Sequence, residues 1–78
     1  MDQAKAVEMV ATIVARLERR AVSEQVAPTP EARLAYEAAA RLARTEANLA
    51  GIATGQLQAA VNFAHSELAA NGMGPARD

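Results

Sequence analysis

The chain has no cysteine and no tryptophan, and only one histidine, one tyrosine and one phenylalanine. Without cysteine, neither a disulfide nor a thiolate metal site can reinforce the fold. The lone His65 cannot supply a paired-histidine zinc spacing. No HExxH, glycine-rich phosphate loop, nucleophile elbow or paired-carboxylate pattern is present either. Two aromatics are too few for a base-stacking platform. The reading is therefore of a protein that is not an enzyme, with no catalytic residue, no metal ligand and no cofactor.

Neither sign of charge is in surplus. Eight basic and nine acidic residues leave a net charge of −1, so nothing draws the whole chain to nucleic acid or an anionic membrane. Long apolar runs are also missing. The most apolar stretch, 6–15, is about ten residues long, contains Glu8 and follows Asp2. It is expected to be neither a membrane span nor a signal peptide, and a cytoplasmic location is the default expectation. Lysine is nearly absent, one against seven arginines. Together with the abundance of alanine, this bias points to a GC-rich bacterial or phage genome.

What the chain has in quantity is alanine, 21 of its 78 residues. Bulky apolar side chains are correspondingly few. A chain of this length rarely draws more than roughly 3–5 kcal/mol from its own core. It is read as a single all-α domain over 1–78, with 72–78 as a flexible C-terminal tail. Self-association is the remaining source of stability, and a homodimer is expected.

Three helices are expected, at about 3–23, 30–50 and 55–70, with helix 1 and helix 2 forming an antiparallel hairpin. In helix 1, Ala6, Val7, Val10, Ile13, Val14, Leu17 and Ala21 share one stripe at 100° per residue. Asp2 is placed to cap it, and Arg16, Arg19 and Arg20 fall late, where the helix dipole favours cations. Pro28 and Pro30 interrupt the pattern. Pro30 suits the first position of a new helix, Thr29 its N-cap and Glu31 its first turn.

Thr29–Gly51 thus reads as one complete helix around which the rest is expected to pack. Its buried stripe is expected to be Leu34, Ala38, Leu42 and Leu49, with alanines 35, 39, 43 and 47 beside it. Gly51 and Gly55 mark a break, with Thr54 able to cap helix 3. The alternative is a two-helix hairpin with one long second helix, 30–70, since a heptad frame through Leu42, Leu49, Ile52 and Phe63 survives the join. In helix 3, Leu57, Val61, Ala64 and Leu68 face the core while Phe63 projects elsewhere.

These features point to a small non-catalytic protein–protein interaction module of the bacterial or phage adaptor or inhibitor type, acting as a homodimer. The expected interface residues are Phe63, Tyr36, Ala39, Ala43, Ala47 and Ala59. The partner is a second copy or another protein. The alternative is a dimeric nucleic-acid-binding regulator using Lys5, Arg16, Arg19 and Arg20 on a basic face of helix 1.

Overall fold

A computed structural model describes residues 2–71. It contains three helices: α1 (Gln3–Ala21), α2 (Pro30–Leu49) and α3 (Thr54–Ala70). The expected tail, 72–78, lies outside the described residues. The bundle measures 36 × 27 × 19 Å.

The helix boundaries follow from local chemistry. Asp2 is extended and its carboxylate accepts from the Lys5 amide at 2.8 Å, starting α1. Thr29 does the same for α2, its hydroxyl accepting from the Ala32 amide at 3.1 Å, with Pro30 as first helical residue. α1 ends two residues earlier than expected. Its continuation is drawn off by Ser23, whose buried hydroxyl accepts from the Val26 amide at 3.3 Å while its carbonyl accepts from Ala27 at 2.8 Å. The link from 22 to 29 is thereby held by its own hydrogen bonds.

The end of α2 settles the choice between three helices and a long hairpin. Gly51 has φ +99°, a backbone region that L side chains rarely adopt. The Ile52 amide donates to the Ala47 carbonyl, and the Gly51 amide to that of Asn48, both at 3.0 Å. This is a Schellman closure, and its accompanying apolar contact is Ile52 in the same buried cluster as Ala47. Thr54 is then the first residue of α3 rather than its cap. The capping position falls to Ala53, which has no side chain to offer.

The shared element is α1, which packs along both α2 and α3, while those two touch each other little. The expectation that α2 is the hub is corrected accordingly. The core consists of Val7, Ala11, Val14 and Ala15 from α1, Ala47 from α2, Ile52, and Leu57, Val61, Ala64 and Leu68 from α3. Val10, Ala43 and Ala60 pack at its margin. The inward face of α3 is as its periodicity predicts.

The inward face of α2 is not. Leu34, Leu42 and Leu49 are 59%, 61% and 77% exposed, and Ala38 is exposed beside them. Ala40 and Ala47 are buried in their place. At 100° per residue the alanine side lies roughly 150° round the helix from the leucine side. The physical reason is proximity. Alanines let the α2 backbone approach α1 closely, where a leucine row would hold it off.

Candidate functional site

Two surfaces and one polar cluster stand out. The first surface is the outer side of α2. Ala35, Ala38, Leu42, Thr45 and Leu49, all exposed, recur at alternating three- and four-residue spacings, with exposed Leu34 alongside. Exposed Arg41 and Glu46 border this row, roughly 60–80° to either side of it at 100° per residue.

The second surface is a groove of about 280 Å³ between the N-terminal half of α1 and the C-terminal half of α3. Val7, Ala60, Ala64 and Leu68 supply apolar walls, and Glu8 and Glu67 also line it. Phe63 lines it too and remains 65% exposed. A ring this open is available to a partner as an anchor.

The polar cluster joins all three helices. Glu18 of α1 accepts from Arg44 Nη2 of α2 at 2.8 Å through Oε2. Its Oε1 lies 2.9 Å from His65 Nε2 of α3. Arg44 Nη1 also donates to Gln58 Oε1 at 2.6 Å, and Gln58 Nε2 to Asn62 Oδ1 at 2.9 Å. Burial pushes the Glu18 carboxyl up. The hydrogen bonds from Arg44 and His65, aided by their charge, more than offset this and hold it below its ordinary range. The cluster ties the bundle together, and among the described residues no group of acidic, histidine or cysteine side chains is arranged to hold a metal ion.

Nothing in the sequence around Glu18 marks it as the junction of the three helices. Its partners are 26 and 47 residues away. The one available signal is its angle at 100° per residue, just beyond the edge of the predicted apolar stripe of α1 and within roughly 20–40° of Val7, Ala11 and Val14.

Of the six expected interface residues, Phe63 and Ala59 are exposed, Tyr36, Ala39 and Ala43 are half-buried, and Ala47 is buried. Ala43 and Ala47 serve packing within the chain, so the surface that α2 offers outward is its leucine side. Among the basic residues, Lys5 and Arg16 are exposed and Arg19 and Arg20 half-buried, on the outer side of α1 with exposed Met9; Ile13, expected within the apolar stripe, is exposed at the border of that side instead. No helix among the described residues is long and apolar enough to cross a membrane. Comparison with protein families, with curated proteins and with solved structures found no match.

Proposed function

We propose that the chain is a small non-catalytic protein–protein interaction module, of the adaptor or inhibitor type, that works by presenting apolar helix surfaces to a protein partner. The observation that carries this reading is the inverted distribution of side-chain size. The largest fully buried side chains are Leu57, Val14 and Val61, and alanine fills much of the remaining core. Met9, Ile13, Leu34, Leu42, Leu49 and Phe63 are exposed. Isolated surface leucines are ordinary, but a row along one helix face is the kind of contiguous patch that marks an interaction site. The single histidine is engaged by Glu18 between helices, which favours a structural over a catalytic role for it.

The test pairs Leu42→Glu with Phe63→Arg, one on each surface. Circular dichroism establishes that each variant is folded, and light scattering and affinity capture measure association. Loss of association in one of them identifies the working surface. A folded monomer that captures nothing, and whose behaviour neither change alters, would overturn the reading.

A further inference from the structure

The charges beside the leucine row bear on which partner α2 suits, an inference that rests on the interaction reading above. The row has coiled-coil spacing: Ala35, Leu42 and Leu49 at one heptad position, Ala38 and Thr45 at the other. Arg41 lies on one edge and Glu46 on the opposite edge, five residues on, which is about 7.5 Å along the axis.

Consider a second copy of this helix laid against the first. If the two run parallel, related by a two-fold axis along the seam, the edge carrying Arg41 adjoins the edge carrying Glu46 of the partner. Long side chains span the axial offset, and the symmetry makes the pairing occur twice. If the two run antiparallel with Leu42 at the centre, like edges meet and Arg41 approaches its own copy. The flanking charges therefore favour one orientation, and the one like-charge contact it brings, Glu31 against its own copy, falls at the exposed first turn of α2, where solvent screens it. The rest of the chain does not obstruct it, because α1 packs on the alanine side, roughly 150° round the helix.

We infer that α2 pairs with α2 of a second copy as a short parallel coiled coil, with Leu42 and Leu49 in the seam and reciprocal Arg41–Glu46 ion pairs along its edges. Only about two heptads are available, and small residues occupy three of the five layers (Ala35, Ala38 and Thr45). The interface falls at the low end of the size class of specific interfaces, so the dimer dissociates on dilution.

Sedimentation velocity across a wide concentration range is the primary measurement, with circular dichroism to show that each variant stays folded. The native chain is expected to shift from monomer to dimer as concentration rises, and Leu42→Glu to remain monomeric. Arg41→Glu and Glu46→Arg should each weaken association by roughly tenfold, since each turns two attractive contacts into repulsive ones. The double exchange, R41E/E46R, should restore it. Because the chain contains no cysteine, Ala35→Cys provides an independent reporter: parallel pairing sets position 35 beside its own copy and yields a rapid disulfide-linked dimer.

A monomer at every concentration overturns the inference, as does an unchanged association constant in R41E or a failed rescue in the double exchange. If the chain stays monomeric but Leu42→Glu abolishes capture of another protein, self-pairing fails while the interaction reading stands. If Leu42→Glu and Phe63→Arg alter neither association nor capture, both fail.

Discussion

Glu18 and His65 are 47 residues apart in the chain and 2.9 Å apart in space, joined across the α1–α3 contact by a carboxylate that Arg44 of α2 grips from the other side. One acidic side chain thus addresses all three helices. Its own side chain is about a third exposed, so solvent screens the interaction and limits what it contributes.

The pH dependence follows from the direction of the Glu18 shift. Its carboxyl is held below its ordinary value of 4.5 in the folded state. Its contribution is therefore fully present above about pH 4.5 and is lost as pH falls through the lower folded-state value. Urea denaturation at neutral pH and at successively lower pH should show a stability loss in that acidic window that Glu18→Gln reduces. At neutral pH, Arg44→Ala should cost about 1 kcal/mol.

Two glycine substitutions should have opposite signs. Gly51 occupies the left-handed position that closes α2, and a Cβ there would meet nothing within 4 Å. Gly51→Ala therefore carries only the conformational cost, about 1–2 kcal/mol. Gly55 lies within the first turn of α3, also in open space. Gly55→Ala should stabilise by about 0.5–1 kcal/mol. In a domain of this size each kcal/mol shifts the melting midpoint by roughly 4–8 °C, well within reach of thermal denaturation.

These boundaries were legible in the sequence because each rests on near-neighbour chemistry: the Asp2 cap, the Thr29-Pro30 start, the glycine after α2. The inner side of α3 was legible as well, since its leucines and valine alternate at helical spacing with polar residues. The inner side of α2 was not. Hydropathy ranks Leu34, Leu42 and Leu49 above Ala40, Ala43 and Ala47, whereas helix packing at close range ranks them the other way. The choice depends on how near α1 comes, a property of the pair of helices. For the same reason, the partners of Glu18 could not be read from its own neighbourhood.

The side-chain inversion gives an unusual mutational pattern. Ala11 and Ala15 of α1 have no accessible surface. Enlarging either, as in Ala15→Leu, should cost about 1–3 kcal/mol through overpacking. Leu42→Ala on the outside should stay within about 0.5 kcal/mol in dilute, monomeric solution. Chemical denaturation of the two variants side by side checks the contrast. Equal losses would mean that the leucine side is packed in solution.

α3 begins without a side-chain cap, unlike α1 and α2. Ala53 already has the extended backbone of a capping residue, with φ −66° and ψ 143°. Ala53→Asp should then stabilise the chain by about 1 kcal/mol, by supplying an acceptor for the first-turn amides and a charge at the positive end of the helix. Thermal denaturation measures it, and Ala53→Asn separates the hydrogen bond from the charge.

The alanines that bring α2 close to α1 have a consequence for how the molecule breathes. Swinging α2 away breaks the Arg44 links to Glu18 and Gln58, but the side chains that α2 itself withdraws from the core are alanines. Ile52, beyond the Gly51 turn, adjoins the start of α3, whereas separating α3 from α1 would lay bare Leu57, Val61 and Leu68. We expect α2 to open more readily than the other two helices, its backbone amides exchanging with solvent deuterium ahead of those in the middle of α1 and α3. A partner seated on the leucine side would reverse that order, so slowed exchange confined to α2 becomes a direct sign of its arrival.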